Sequence, residues 1–101
     1  MPVDDVTEGG LVTWGVLTPW SEVRAVTMIR RSAVVDNGHV ISPAYRTITF
    51  DLVNGHFIDV VEGTENWQSV VEGLPRCLEL AVDLARVTAA PRSVDTVLWA
   101  Q

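Results

Sequence analysis

The alternation of apolar and polar positions is clearest in residues 46–61, where two β-prone runs flank the pair Asn54-Gly55. An Asn-Gly pair between alternating runs is typical of a β-hairpin turn. Two registers compete. A two-residue turn would place Asp59 within an apolar face, which is costly if that face is buried. A three-residue loop with Gly55 in the left-handed conformation avoids this cost, and the sequence therefore favours this G1-bulge register.

The favoured register divides the side chains of the hairpin between two faces, because successive strand residues point in opposite directions. The face predicted to be buried carries only apolar side chains: Ile48, Phe50, Leu52, Ile58 and Val60. The opposite face is mixed: Thr49, Asp51, Phe57, Asp59 and Val61.

Shorter runs with the same alternation precede this hairpin. Residues 11–17 predict a first strand, and residues 22–31 predict a second strand whose two faces are both partly apolar. A turn at residues 18–21 separates them, because Pro19 cannot donate a ladder hydrogen bond.

A second Asn-Gly pair, Asn37-Gly38, predicts another hairpin that joins residues 33–35 to residues 39–41. Residues 1–10 combine acidic side chains with a Gly-Gly pair and predict a loose lead-in. The β section therefore spans residues 11–62 and contains five or six antiparallel strands before any helix, which excludes an alternating βαβ order.

The apolar spacing changes to a helical period in residues 64–88. The side-chain oxygen of Thr64 or Asn66 is placed to cap the start of this section. Pro75 predicts a kink or a break after Leu74, because proline lacks the donor of a helical hydrogen bond and crowds the preceding turn. The section is therefore either one kinked helix or two short helices.

Residues 76–88 predict a helix that is apolar nearly all round, which is typical of a helix packed on more than one side. Residues 94–99 predict a final strand or an extended arm. The whole chain, residues 1–101, is then a single domain of the α+β class. Its predicted architecture is a bent antiparallel sheet or half-barrel of five to seven strands, packed with one kinked or two short C-terminal helices.

Four short motifs carry a resemblance to a known group of proteins. They are Trp20-Ser21-Glu22-Val23, the ITF-x-L-x-x-G hairpin at 48–55, the run WQSVVEGLPR at 67–76, and the closing TVLW at 96–99. Together they resemble small uncharacterised bacterial proteins with a pleckstrin-homology-like (PH-like) layout. The resemblance implies a strongly bent antiparallel sheet closed by a C-terminal helix, and it brings no catalytic residues with it.

The charge balance narrows the class of partner. The chain has 13 acidic and seven basic residues, a formal net charge of −6, and all of its basic residues are arginine. Nucleic acids and anionic membrane surfaces favour basic patches, so neither is an expected partner. A basic protein is.

Composition favours a folded cytoplasmic protein. The hydrophobic content is 48%, and no apolar run approaches the roughly 20 residues of a membrane helix. The start of the chain has no basic region ahead of an apolar stretch, so no signal peptide is expected. The single cysteine, Cys77, cannot form an internal disulfide, and its apolar surroundings favour a small core residue over a reactive thiol.

Candidate chemistry is sparse. His39 and His56 could combine with Asp36 or Asp59 in a metal site, but their spacing matches no ligand motif, and exposed hairpin histidines are the favoured interpretation. The sequence contains neither a Gly-x-Ser-x-Gly elbow nor a Gly-rich phosphate loop. We therefore predict no catalytic residue, no cofactor and no metal, and we expect the protein not to be an enzyme.

Two features are candidates for binding a partner protein. If the helical section were continuous, Glu65, Glu72, Glu79 and Asp83 would form one acidic stripe. Such a stripe is either an ordinary solvated helix face or a docking surface that attracts a basic protein. The second feature is the tryptophan content, because a small domain seldom buries four indoles, and Trp20, beside a proline at a turn, is the candidate exposed anchor.

The sequence thus leads to a first hypothesis and an alternative. The first is a non-enzymatic, acidic protein-binding module, inhibitor-like or immunity-like, that recognises a basic protein. The alternative is a structural homo-oligomer held by the apolar helix 76–88 and by unpaired sheet edges. A small-ligand-binding domain or an enzyme is less favoured, because it would need a deep apolar cavity.

Overall fold

A computed structural model describes residues 5–89 and 95–101, and these residues form antiparallel sheets and short helices. The strands are β1 (Asp5–Thr7), β2 (Gly10–Thr13), β3 (Val16–Pro19), β4 (Val23–Arg31), β5 (Val34–Asp36), β6 (His39–Ser42), β7 (Tyr45–Leu52), β8 (Phe57–Val61) and β9 (Thr96–Ala100). The helices are α1 (Trp67–Cys77) and α2 (Leu84–Ala89), with a 3-10 turn at Trp20–Glu22. The α+β class is confirmed.

The strands are divided among three sheets, whereas the sequence predicts one sheet of five to seven strands. The central sheet has the order β8-β7-β4-β9, β1-β2-β3 form a second sheet, and β5-β6 form a third. Every strand pair in them is antiparallel.

The central hairpin, β7 and β8, has the predicted G1-bulge register. Phe50 lies opposite Ile58, and Ile48 lies opposite Val60. The Leu52 N–H donates to the His56 carbonyl at 2.8 Å and so closes a three-residue loop, in which Gly55 has φ 89°. Four of the five side chains on the predicted apolar face are buried, and Leu52 is half-buried.

Strand β4 carries a β-bulge that its sequence alternation does not reveal. The pairing register with β7 shifts between Val23 and Ala25. A bulge inserts one extra residue and thereby changes which later side chains face the core. As a result Val23, Val26 and Met28 are all buried, although strict alternation would place Val23 on the opposite face from the other two.

The N-terminal residues contradict the predicted loose lead-in, as far as the structure describes them. Asp5–Thr7 is a strand paired with β2, and Val6 is a buried core residue beside Gly73 of α1. Gly10 has a packing role rather than a flexible one, because a β carbon there would lie 2.8 Å from the Pro19 Cα. The sequence pattern of acids and glycines indicates flexibility, but the glycine here allows two strands to approach closely.

The predicted first strand, residues 11–17, is in fact two strands. Trp14 and Gly15 form the turn between β2 and β3 and both have positive φ, 54° and 76°. A two-residue turn of this kind matches the twist of a hairpin but is rarely made with tryptophan. The missing Asn-Gly signal explains why the sequence does not predict it.

The helical section breaks later than predicted. Helix α1 continues through Pro75 to Cys77, so the predicted break after Leu74 is wrong by three residues. Residues 78–83 are not helical, and the predicted helix over residues 76–88 is therefore also wrong. Pro75 disturbs only the last turn of α1, where few hydrogen bonds remain to be lost. Of the two predicted alternatives, one kinked helix or two short helices, the structure has two helices.

The predicted side-chain cap of α1 is absent. Asn66 occupies the N-cap position without a side-chain hydrogen bond to the helix. The Thr64 hydroxyl donates to the Val61 carbonyl at 2.7 Å instead.

The last strand confirms the prediction of a C-terminal strand. Thr96–Ala100 pairs with β4 at the edge of the central sheet. The Ala81 N–H donates to the Leu98 carbonyl at 2.8 Å, so the segment between the helices covers part of this edge. Residue 94, which the prediction included, lies outside the described residues.

The hydrophobic core lies between the central sheet, the β1-β2-β3 sheet and α1. Its fully buried side chains come from all three: Leu11, Val23, Val26, Met28, Ile48, Phe50, Val70, Leu74 and Leu98. Trp20 and Trp99 pack against this core and against each other, with ring centroids 6.1 Å apart.

Replacing Gly55 by valine should destabilise the protein by about 1–3 kcal/mol, because a β-branched residue adopts positive φ only with strain. The space around Gly55 is open, so the loss would arise from the backbone and not from a clash. Gly55→Asn is the control, since asparagine tolerates the left-handed conformation. Denaturant unfolding of both variants measures the effect, and equal stability of Gly55→Val and wild type would contradict this register.

Candidate interaction surface

An extension of the longest hairpin projects beyond the central sheet. Strands β4 and β7 are paired as far as Arg31 and Tyr45, and residues 32–44 then continue as the separate β5-β6 hairpin. We call residues 32–44 the arm. Its residues are exposed except Ser42, which is half-buried. The arm therefore contains most of the longest run of exposed residues in the described chain, residues 30–41.

The arm carries aliphatic side chains that the rest of the molecule does not cover. Val34, Val35, Val40 and Ile41 are 55%, 58%, 64% and 65% exposed. These β-branched residues favour strands, and Asn37-Gly38 closes the hairpin with φ values of 51° and 77°, as the sequence predicts. Contiguous exposed apolar side chains mark interaction sites on proteins. The sequence predicts this hairpin but not its exposure, because apolar residues in a strand ordinarily indicate core.

The root of the arm is basic. Arg30 and Arg31 end β4 and are both exposed. The Arg30 backbone N–H donates to the Asp95 carboxylate at 3.0 Å. The cross-strand partner of Arg30 is Arg46, whose guanidinium turns away to other partners. The exposed arginines thus lie next to the aliphatic part of the arm.

The four predicted acidic residues are all exposed, but no single helix carries them. Glu72 lies in α1 and Glu65 precedes it, whereas Glu79 and Asp83 lie in the segment between the helices. The predicted stripe depended on a continuous helix, and the break after Cys77 removes that condition. The four residues therefore do not form the predicted stripe on one helix. Two of them, Glu72 and Asp83, line the same groove.

Glu72 and Asp83 lie on a groove between α1 and α2. The groove has a volume of about 400 Å³, and apolar residues supply much of its lining: Trp67, Val71, Pro75, Val82, Leu84 and Ala85. We call it the α1–α2 groove. It combines an apolar floor with carboxylates, and it is the arrangement closest to the predicted acidic surface.

A second groove, of about 460 Å³, lies between β1 and α1 and is polar in character. It is lined by Asp5, Glu8, Glu72 and Arg76, with Cys77 beside them. The Cys77 thiol is free and half-buried, and its Sγ lies 3.6 Å from the Val6 carbonyl oxygen. Burial raises the pKa of Cys77, and the Glu8 carboxylate adds to the rise. This thiol is therefore poorly suited to nucleophilic chemistry, in line with the predicted packing role.

Trp20 is not the exposed anchor that the sequence suggested. Its side chain is half-buried, its indole N–H donates to the Thr7 carbonyl at 3.0 Å, and its ring lies 6.5 Å from that of Phe50. It joins the N-terminal sheet to the core. The exposed indole is that of Trp14, 72% exposed at the β2-β3 turn.

Arg46 fixes the wall of the α1–α2 groove. Its guanidinium donates to the Glu62 carboxylate and, through Nη1, to the carbonyls of Val87 and Thr88 at 3.3 and 2.9 Å. These carbonyls belong to the last turn of α2, where a cation is favourable. Hydrogen bonding to Arg46 also lowers the pKa of Glu62. One side chain thus connects the root of the arm, the end of β8 and α2.

The two histidines considered as metal ligands do not form a metal site within the described residues. His39 and His56 are both exposed, as predicted. Within residues 5–89 and 95–101, no three His, Cys, Asp or Glu side chains are grouped in a way that could hold a metal ion. Over the same residues, no helix has the length and apolar character needed to cross a membrane.

No protein-family model, curated protein or solved structure matches this chain. The PH-like resemblance therefore stays a prediction, and the function is inferred from the surface of the molecule.

The Arg46–Glu62 pair should make stability depend on pH. Because the folded-state pKa of Glu62 is lowered, the pair stabilises the protein above the unfolded pKa of glutamate, about 4.3, and this contribution is lost as the pH falls further. Glu62→Gln should therefore be less stable than wild type at pH 7 and should lose less stability between about pH 5 and 3.

The free energy of unfolding, measured against pH, tests this expectation. Glu65→Gln makes the same change at an exposed side chain and should keep the wild-type dependence. Parallel pH profiles for wild type and Glu62→Gln would contradict the assigned role of the pair.

Proposed function

We propose that this protein is a binding module without enzymatic activity, and that copies of the chain associate with one another through the arm. The observation that carries the proposal is the exposure of Val34, Val35, Val40 and Ile41 on an ordered hairpin outside the central sheet. This proposal takes up the homo-oligomer hypothesis with a different contact element, since the apolar helix over residues 76–88 does not form.

The energetics of the arm favour association. A two-stranded hairpin is marginally stable on its own, and its exposed aliphatic side chains gain free energy when another surface covers them. Burial is worth about 25 cal/mol per Å² of apolar surface removed from water. The arm also has unpaired strand edges, which invite pairing with another chain. Both terms act only when a partner is bound.

Charge favours a second copy as that partner. The arm root presents Arg30 and Arg31, and the body that they would meet belongs to a chain with a formal net charge of −6. A surface that is apolar with basic flanks is complementary to one that is apolar with acidic flanks. The same chain contains both kinds of surface.

Recognition of a basic protein, in an inhibitor-like role, is the second candidate. Its support is that Glu65, Glu72, Glu79 and Asp83 are all exposed on an acidic chain. We also retain the PH-like layout and a cytoplasmic location as proposals. The free Cys77 thiol is compatible with a reducing compartment.

Replacing Val35 or Ile41 by aspartate should weaken self-association at least about tenfold, because a buried unpaired carboxylate opposes contact. Sedimentation velocity over a range of protein concentrations gives the dissociation constant. Val53→Asp is the matched control, since Val53 is 56% exposed and lies in the β7-β8 loop, away from the arm. A wild-type protein that stays monomeric at all concentrations would overturn the proposal.

A further inference from the structure

We infer that the arm of one copy docks in the α1–α2 groove of the next copy, so that the chains join head to tail. This inference rests on the proposed self-association and specifies its geometry. The arm and the groove are complementary in three properties: apolar character, size and charge.

The first property is apolar character on both sides. The groove exposes parts of Val71, Pro75, Val82 and Ala85 beside the nearly buried Trp67. The arm offers aliphatic side chains that are more than half exposed. Docking would therefore remove apolar surface from water on both copies.

The second property is size. The groove volume of about 400 Å³ lies in the range of about 300–1,000 Å³ that is typical of clefts which enclose a small ligand. It can accept a few aliphatic side chains but not the whole arm. Val34 and Ile41 are the exposed valine and isoleucine nearest the root, and Val34 follows Arg31 by three residues, a span of at most about 11 Å of chain.

The third property is charge. Glu72 and Asp83 stand on the groove, and both are exposed. Gln68 holds one carboxylate oxygen of Glu72 at 3.1 Å, and the Arg76 guanidinium donates to the Glu72 backbone carbonyl rather than to its carboxylate. When Val34 and Ile41 occupy the groove, Arg30 and Arg31 lie within reach of these acids. Opposite charges flanking an apolar contact fix its register and exclude partners of the wrong sign.

This pairing is heterologous, because the arm and the groove are different surfaces. In a dimer one copy keeps a free arm and the other a free groove, so further copies can add. The copies therefore form rings if the rotation closes and open chains if it does not. The arm has thirteen residues, against the roughly 20–30 on each side of a standard interface, so the affinity of one contact is moderate.

Two variants with complementary defects test the inference. Ile41→Asp blocks the arm and leaves the groove intact. Ala85→Arg places a long cation in the groove and leaves the arm intact, and Ala85 is an exposed helix residue where arginine is well tolerated. Each variant alone should be monomeric. An equimolar mixture should form a 1:1 dimer and nothing larger, because the only intact arm and the only intact groove are then used.

The outcomes separate the inference from the proposed function. If Ala85→Arg alone still associates like wild type while Ile41→Asp does not, the copies join through their arms, and only the head-to-tail inference fails. If wild type itself is monomeric, the proposed self-association fails. If each variant is monomeric and the mixture is too, the arm does not dock in this groove. Circular dichroism of each variant confirms that it is folded.

A charge exchange gives an independent check at exposed positions. Arg31→Glu and Glu72→Arg should each weaken association about tenfold or more, and mixing them should restore it, since each arm then meets a groove of opposite sign. Arg24→Glu is the control, because Arg24 is an exposed arginine of β4 outside the arm root. Failure of the mixture to recover would overturn the assigned charge contact.

Discussion

The pairing of β4 with β7 is the interaction on which the rest of the structure depends. It joins eight residue pairs in one antiparallel ladder, from Val23 with Leu52 to Arg31 with Tyr45. The first part of this ladder supplies core residues on both strands, such as Val26 opposite Phe50 and Met28 opposite Ile48. The last part leaves the core and becomes the root of the arm. One hairpin thus provides both the centre of the hydrophobic core and the support of the exposed surface.

The remaining elements are attached to this ladder by a few specific contacts. Trp20 bonds the backbone of β1 and packs on Phe50, which links the N-terminal sheet to the core. The Gln101 amide lies within 3.0 Å of the carbonyls of Trp20, Ser21 and Val23 and so holds the chain end at the start of β4. Arg46 holds α2 in place by donating hydrogen bonds to the carbonyls of Val87 and Thr88. Each contact joins segments that are distant in sequence.

Local signals explain which parts of this fold can be predicted from the sequence. The two Asn-Gly turns and the register around Gly55 depend on neighbouring residues, and they are as predicted. The final strand is one of the two predicted alternatives for residues 94–99; its β-prone residues indicate it, although its partner β4 is distant in sequence. The sequence pattern gives the strand at Asp5–Thr7 and the helix end at Cys77 wrongly. Strand β1 pairs with its neighbour β2, but its Val6 packs beside Gly73 of α1, and this long-range contact has no local sequence signal. The bulge in β4 belongs to the same group.

In the candidate surface, too, the sequence predicts local features but not those that depend on the whole fold. Sequence spacing predicts Glu65, Glu72, Glu79 and Asp83 on one continuous helix, whereas residues 78–83 are not helical and only Glu72 and Asp83 line the α1–α2 groove. The exposure of the arm could not be inferred from Val34 or Ile41 themselves, because the same side chains in β7 would be core. The burial of a strand residue depends on whether another layer covers the strand, and the whole fold determines that.

The net negative charge of the chain limits non-specific association through the exposed arm. At an ionic strength of about 0.1 M, charges act over roughly 10 Å, so copies with a net charge of −6 repel one another at the distances where apolar surfaces begin to meet. This repulsion opposes non-specific aggregation through the exposed aliphatic side chains of the arm. In the proposed association, an approach that brings the basic arm root toward carboxylates lowers this repulsion. The charge pattern therefore acts as a filter on collisions, and added salt would relax that filter for specific and random encounters alike.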